Sequence, residues 1–118
     1  SDKKTRPFVL DYNKVSDNLG IFDIGPRSIA ELSQIIKEAK TIIWNGPVGL
    51  YEDRRFTSGT KQILSYICKS NAKTIVGGGD TISVFKTKDL NQISHISTGG
   101  GAMLNFIEKG TLPALQAL

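Results

Sequence analysis

Two runs of three glycines, each placed just after a short apolar segment, constrain the fold of this chain more than any other feature. Gly77–Gly79 follow Thr74-Ile75-Val76, and Gly99–Gly101 follow His95-Ile96-Ser97 and one threonine. Each pattern predicts a strand, a glycine loop and then a helix. Such a loop turns bare backbone N–H groups and the positive end of a helix dipole toward one point, which suits a phosphate. The pair predicts either one ligand with several phosphates or two phosphorylated ligands.

The rest of the sequence alternates helical and extended patterns. An amphipathic helix is expected from Pro26 to Lys40, because proline is favoured at a first helical position and apolar residues then recur at helical spacing. Its predicted inner face is Ile29, Leu32, Ile35, Ile36 and Ala39. The other predicted helices are Phe56–Ser70, Thr81–Lys86 and Ala102–Lys109, and the predicted strands are Phe8–Leu10, Thr41–Trp44, Thr74–Val76 and His95–Ser97.

This alternation predicts the fold class. Strands separated by helices form parallel sheets through right-handed crossovers. We therefore predict an α/β protein: a three-layer, Rossmann-like, partial parallel sheet with helices on both faces. Three central strands make a thin sheet for this architecture, which indicates that the chain belongs to something larger. Residues 1–118 are assigned to one domain, with residues 1–6 expected to be disordered.

Composition excludes several functional classes. The net charge of +4 comes from dispersed residues without aromatic interleaving, so no nucleic-acid partner is expected. No apolar run approaches a membrane span, and Ser1–Lys4 are not followed by the apolar segment of a secretory signal. The single cysteine, Cys68, cannot form an internal disulfide, which fits a reducing compartment. We interpret it as a buried, inert helix residue.

In open parallel sheets, ligands bind beyond the carboxyl ends of the strands. The segments expected there are 45–52, 77–81 and 98–101. Asp80 either caps a helix or holds a Mg²⁺ ion beside bound phosphates. Thr81 either donates its hydroxyl to a phosphate or is an ordinary first-turn residue. Asn45 either binds a ligand or caps a turn, and Glu52 either accepts from ribose hydroxyls or is a solvated carboxylate. The residue pattern alone leaves these alternatives open.

Four segments together resemble successive motifs of the phosphoglycerate kinase family. They are Asp23-Ile24-Gly25-Pro26-Arg27-Ser28, the stretch from Trp44 to Glu52 (WNGPVGLYE), Gly77-Gly78-Gly79-Asp80-Thr81, and the stretch from Ser94 to Ala102 (SHISTGGGA). They occur in the family's order, and the resemblance extends over the chain from Pro7 onward. A single glycine loop is a weak signal, whereas four motifs in order are specific.

The resemblance implies an activity and a set of site residues. The family transfers a phosphoryl group between 1,3-bisphosphoglycerate and ADP, giving 3-phosphoglycerate and ATP, with Mg²⁺, in cytoplasmic glycolysis. By resemblance, Glu52 binds the ribose and Asn45 lies in the nucleotide site. Gly78, Gly79, Asp80 and Thr81 receive the phosphates and the metal, for which Asp80 is the expected ligand. Gly99, Gly100 and Gly101 stabilise the phosphoryl group during transfer, the catalytic role.

The resemblance covers only about the last third of such an enzyme. The lobe that binds phosphoglycerate has no counterpart in this chain, so we expect the isolated chain to be inactive as a kinase. The alternative is a non-catalytic nucleotide- or phosphate-binding module of the same fold. A partial sheet also leaves an exposed edge, through which the chain is expected to self-associate.

Overall fold

A computed structural model describes residues 6–97 and Glu108. In these residues four α-helices and three strands follow one another along the chain. The helices are α1 (Pro26–Glu38), α2 (Ser58–Lys69), α3 (Gly79–Ser83) and α4 (Thr87–Leu90), and the strands are β1 (Thr41–Asn45), β2 (Lys73–Gly77) and β3 (His95–Ser97). Short 3-10 turns occupy Tyr12–Lys14 and Arg54–Phe56. No helix in the described part of the chain is long and apolar enough to cross a membrane.

The sheet is parallel and has the order β1-β2-β3. The register pairs Asn45 with Gly77 and Gly77 with Ser97, so the three strands end level with one another. The predicted α/β class and parallel sheet are therefore confirmed. The loops that leave β1 and β2 start from the same edge, where the sequence predicted the ligand segments.

The two long helices cover one face of this sheet. Ile36 of α1 and Ile63, Leu64 and Ile67 of α2 form a buried cluster with Trp44 and Val76. Trp44 and Val76 are register partners and so point to the same face. Ile43 points to the opposite face, where its side chain is 44% exposed. In the described part of the chain, α1 and α2 thus lie on the same side of the sheet.

Helix α1 begins at Pro26 as expected, because the missing N–H of proline has no partner in a first turn. Ile29 and Ile36 are buried, but Ile35 is 64% exposed, so its predicted place on the inner face is wrong. Ile35 is rotated by about 100° from Ile36 around the helix. The contact stripe of α1 is too narrow to include both.

Other predicted boundaries also change. Phe8–Leu10 form no strand and are exposed, so the strand predicted there is wrong: this segment does not pair with either outer strand of the described sheet. Helix α2 starts at Ser58 because residues 54–56 take a 3-10 turn first. The helix predicted over Thr81–Lys86 corresponds to α3, which starts two residues earlier and ends at Ser83, and the separate helix α4 begins at Thr87. The predicted disorder of residues 1–6 falls almost wholly outside the described residues, as does the Ala102–Lys109 helix except for the helical Glu108.

Candidate functional site

The ends of β1 and β2 bring Asn45 against the second glycine of the Gly77–Gly79 run. Gly78 has a φ of 90°, a conformation that residues with a Cβ rarely adopt. A Cβ on Gly78 would lie 3.0 Å from Oδ1 of Asn45 and 3.3 Å from Oγ1 of Thr81. Glycine is therefore needed here both for the backbone turn and for the close approach of these side chains. Two predicted site residues from separate motifs are thus neighbours.

Helix α3 begins immediately after this turn, with Gly78 as its N-cap residue. Asp80 therefore lies inside the first turn instead of capping it, and its side chain makes no cap hydrogen bond. Asp80 is exposed, and within the described residues its carboxylate has no hydrogen-bond or ion-pair partner. A Cβ on Gly79 would meet nothing within 4 Å. The surface at Gly79 and Asp80 is open to a ligand.

Thr81 is the exception among the predicted ligand residues, because it is fully buried, with 0% of its surface exposed. Its Oγ1 accepts a hydrogen bond from the backbone N–H of Gly46 at 2.6 Å. The carbonyl oxygen of Gly46 in turn accepts from Nε1 of Trp44 at 2.5 Å. Sequence reasoning missed this link, because nothing in the local pattern pairs two residues 35 positions apart.

Glu52 lies in a different surface hollow. The hollow has a volume of about 530 Å³ and is lined by Leu50, Glu52 and residues 53–55. Asp53 and Arg55 form an ion pair at 2.7 Å in its wall, and the Arg55 guanidinium lies 5.0 Å from the ring centre of Phe56. Neither Asn45 nor residues 78–81 line this hollow. The described structure therefore groups Asn45 with Gly78–Thr81 and places Glu52 in a separate depression.

The turn between Asn45 and Glu52 is held by hydrogen bonds to α2 and to the segment that precedes α1. The hydroxyl of Thr60, which is buried, accepts from Val48 N at 3.0 Å and donates to Val48 O at 2.7 Å. The amide of Leu50 donates to Phe22 O at 2.8 Å. These contacts hold the turn at the sheet edge, and no local sequence pattern indicated them.

Gly99, Gly100 and Gly101 lie outside the described residues, and their predicted catalytic role stays a prediction. The last described residue before them, Ser97, accepts a hydrogen bond from the Gly78 amide through its carbonyl oxygen at 3.1 Å. The chain therefore enters that segment from a point bonded directly to the first glycine turn.

The described residues contain no group of three His, Cys, Asp or Glu side chains that would hold a metal by themselves. A cation at Asp80 would find one carboxylate there and would take its other ligands from water and a bound molecule. Cys68 lies in α2 as predicted but is only partly buried. Its thiol is not an activated nucleophile, because partial burial raises the pKa of Cys68 and the nearby Asp89 carboxylate raises it further.

Comparison with known proteins gives a consistent result. Residues 1–110 match the family model described as phosphoglycerate kinase. The phosphoglycerate kinase of Vibrio campbellii is 44% identical over 118 residues, which covers 99% of this chain and 31% of that protein. That of Leptospira biflexa is 50% identical over 112 residues, covering 89% of this chain and 28% of that protein. The chain thus spans less than a third of the length of these relatives.

Solved structures agree with the sequence comparisons. The structure of phosphoglycerate kinase from Coxiella burnetii matches with a TM-score of 0.78 and 43% identity, covering 88% of this chain and 27% of that one. The enzyme from Pyrococcus horikoshii matches with a TM-score of 0.70 and 38% identity, covering 84% and 24% of the two chains. The described fold is therefore similar to part of these structures.

Proposed function

Because this chain belongs to the phosphoglycerate kinase family, we propose that it works as part of a longer cytoplasmic enzyme that transfers a phosphoryl group between 1,3-bisphosphoglycerate and ADP. The products are 3-phosphoglycerate and ATP. These residues contribute to binding the nucleotide, while phosphoglycerate binds to a lobe outside these 118 residues. The observation that carries the proposal is the meeting of Asn45 with the Gly78 turn at the aligned ends of β1 and β2.

In this proposal, the turn at Gly78 and Gly79 receives the nucleotide phosphates. The open space beside Gly79 supports this role, since a phosphate oxygen can reach the backbone without meeting a Cβ. Asn45 binds the nucleotide from the adjoining strand end, where its side chain is exposed. Glu52 accepts hydrogen bonds from the ribose hydroxyls, and its exposure on the wall of a hollow leaves the carboxylate accessible for them.

Asp80 is the proposed Mg²⁺ ligand. Mg²⁺ prefers hard oxygen ligands and is commonly held by one or two carboxylates together with substrate phosphates. The exposed Asp80 carboxylate fits that requirement, because it has no hydrogen-bond or ion-pair partner within the described residues. The bound ion would neutralise charge on the phosphates. Asp80 would hold the ion at the start of α3, next to the turn that receives the phosphates.

Gly99, Gly100 and Gly101 complete the proposal. Their backbone N–H groups would stabilise the charge on the phosphoryl group during transfer, which is the main way in which proteins catalyse this reaction. Ser97, which directly precedes this segment, is bonded to Gly78, and this contact supports a location near the nucleotide phosphates.

Titration calorimetry of the 118-residue chain with ADP, with and without Mg²⁺, tests the nucleotide and metal roles. Asp80→Asn should lower the affinity for Mg-ADP by about tenfold, equivalent to about 1.4 kcal/mol, and should change the affinity for metal-free ADP much less. Asp17→Asn, at an exposed aspartate outside the site, is the matched control. An unchanged Mg-ADP affinity in Asp80→Asn would contradict the metal role.

Activity measurements separate the enzyme from its alternative, a non-catalytic nucleotide- or phosphate-binding module. The isolated chain should show no kinase turnover, because the phosphoglycerate site is not in it. Mixing it with a complementary N-terminal fragment of a family member should restore turnover. Steady turnover by the isolated chain would contradict the proposal that phosphoglycerate binds outside it. Nucleotide binding without any restored activity would favour the non-catalytic binding module.

We also propose that the isolated chain associates with itself through the sheet. Within the described residues β1 pairs only with β2, so the other edge of β1 is open. Unpaired strand edges are templates for pairing with another chain. Ile43, which lies on this strand and is partly exposed, adds apolar surface to the same region.

A further inference from the structure

We propose that Thr81 is a positioning residue: its buried hydroxyl fixes Gly46 and thereby holds Asn45 beside the Gly78 turn. This inference rests on the proposed function for its significance, because it concerns the shape of the proposed nucleotide site. It assigns Thr81 a role different from that of a phosphate ligand.

The Thr81 hydroxyl is buried and already has a hydrogen-bond partner inside the protein. Thr81 has no exposed surface, and its Oγ1 accepts the Gly46 N–H at 2.6 Å. A ligand approaching from solvent therefore meets Gly79 and Asp80, which are exposed, before it reaches this side chain. The Thr81 hydroxyl is used inside the protein, between α3 and the turn after β1.

The backbone of Gly46 makes a sharp turn and is hydrogen-bonded to two side chains. Its φ is 93°, so the chain turns sharply directly after Asn45. Both polar groups of its backbone are bonded to side chains, the N–H to Thr81 and the carbonyl oxygen to Nε1 of Trp44. A Cβ on Gly46 would meet nothing within 4 Å, so there is open space on that side of the residue. These two side-chain hydrogen bonds hold Gly46 itself, while the contacts of Val48 and Leu50 hold the later part of the turn.

The turn at Gly46 is connected to the proposed ligand site through Asn45. Oδ1 of Asn45 and Oγ1 of Thr81 both lie within 3.3 Å of the place where a Cβ on Gly78 would be. Asn45 immediately precedes Gly46, so a shift of Gly46 moves the backbone that carries the Asn45 side chain. Removing the Thr81 hydroxyl should therefore loosen Asn45 against Gly78 without touching the exposed surface at Gly79 and Asp80.

Amide hydrogen exchange measured by NMR tests this directly. In the wild-type chain without nucleotide, the Gly46 amide should be protected. Thr81→Val keeps the shape of the side chain and removes the acceptor, so Gly46 exchange should accelerate by about tenfold relative to the buried amides of β2. Thr81→Ser keeps the hydroxyl, and its Gly46 exchange should stay within about twofold of wild type.

Thr74→Val is the matched control. Thr74 is also buried, with 1% exposed, and its hydroxyl also accepts a backbone N–H, from Ser94 at 2.9 Å. This variant should destabilise the fold without a specific effect on Gly46. If Gly46 accelerates no more in Thr81→Val than the β2 amides do, the proposal is wrong. An unprotected Gly46 amide in the wild type contradicts it without any variant.

ADP titration of the same proteins distinguishes positioning from direct contact. Thr81→Val should weaken ADP binding and Thr81→Ser should restore it, in parallel with Gly46 exchange. Weaker ADP binding with unchanged Gly46 exchange would identify Thr81 as a direct ligand and overturn the proposal. The exchange measurement needs no nucleotide, so a failure of ADP to bind the wild type would count against the proposed function and leave the test of Thr81 intact.

Discussion

The carboxylate of Asp23 accepts a hydrogen bond from the backbone N–H of Gly59 at 3.0 Å, across 36 residues of sequence. Gly59 is the second residue of α2, where backbone N–H groups have no partner within the helix. The side chain of the N-cap residue, Thr57, makes no capping hydrogen bond, so Asp23 provides an acceptor in its place. The other carboxylate oxygen of Asp23 accepts from Ile24 N at 2.8 Å. One side chain thereby fastens the start of α2 to the segment before α1.

Asp23→Ala should lower the free energy of unfolding by about 1–2 kcal/mol, because it leaves a helix N–H and the Ile24 N–H without their acceptor. Urea denaturation followed by circular dichroism measures this. Asp17→Ala, which removes an exposed carboxylate, should change the stability by less than about 0.5 kcal/mol. Equal effects of the two substitutions would show that the Asp23 contact contributes little.

Gly59→Ala should destabilise the chain by about 1–3 kcal/mol, the range for overpacking. A Cβ there would collide with Oδ1 of Asp23 and would lie 2.7 Å from Cγ1 of Ile24. Gly79→Ala is the matched helical glycine, with open space around the added methyl group, and should leave stability unchanged or raise it by up to about 1 kcal/mol. Thermal unfolding of the two variants compares them. A less stable Gly79→Ala would mean that the space beside α3 is filled.

The stability of the chain should depend on Cys68 at alkaline pH. Burial and Asp89 raise the pKa of this thiol in the folded chain above its ordinary value of about 8.5, so the unfolded chain loses the proton first. The contribution of the neutral thiol is complete below that ordinary value and is lost as the pH rises toward the folded-state pKa.

Relative to Cys68→Ala, the wild type should therefore have a lower free energy of unfolding at pH 10 than at pH 7. Urea denaturation of both proteins at the two pH values measures this. Taking the difference between the two proteins cancels the titration of lysines and tyrosines that both contain. A constant difference would mean that the thiol has the same pKa in both states.

Ile43→Lys should reduce self-association of the isolated chain, because a charge next to the open edge of β1 opposes strand pairing. Sedimentation velocity over a concentration series measures the change. Ile35→Lys introduces the same charge at an even more exposed isoleucine on α1 and should not alter association. A purely monomeric wild type would contradict the proposed association, and an equal effect of both lysines would place the contact elsewhere.

Much of the fold could be predicted from local pattern. The β-branched run at Thr41–Ile43, the proline at the start of α1 and the glycines after Val76 act through neighbours in sequence, and they predicted β1, α1 and the turn after β2 correctly. Phe8–Leu10 has the same apolar character as a strand but finds no partner in the described sheet. Strand formation depends on pairing, which the segment itself does not encode.

The residues of the candidate site could be predicted from sequence motifs, but the hydrogen bonds between them could not. Asn45 and Gly78 were both proposed on motif grounds, and the level ends of β1 and β2 explain why they meet. The burial of Thr81 was not predictable, because it depends on where the Gly46 N–H lies. Sequence showed a hydroxyl beside a glycine loop, whereas three-dimensional packing determines whether that hydroxyl faces solvent or the protein interior.

The contact of Trp44 with Gly46 has an optical consequence. Trp44 is the only tryptophan in the chain, its ring lies 5.8 Å from that of Phe85, and its indole N–H is bonded to the turn that Thr81 also holds. Intrinsic fluorescence excited at the indole band therefore comes from one buried position next to this turn. The emission wavelength and quenching of that single fluorophore would report local loosening of the turn in solution without an attached label.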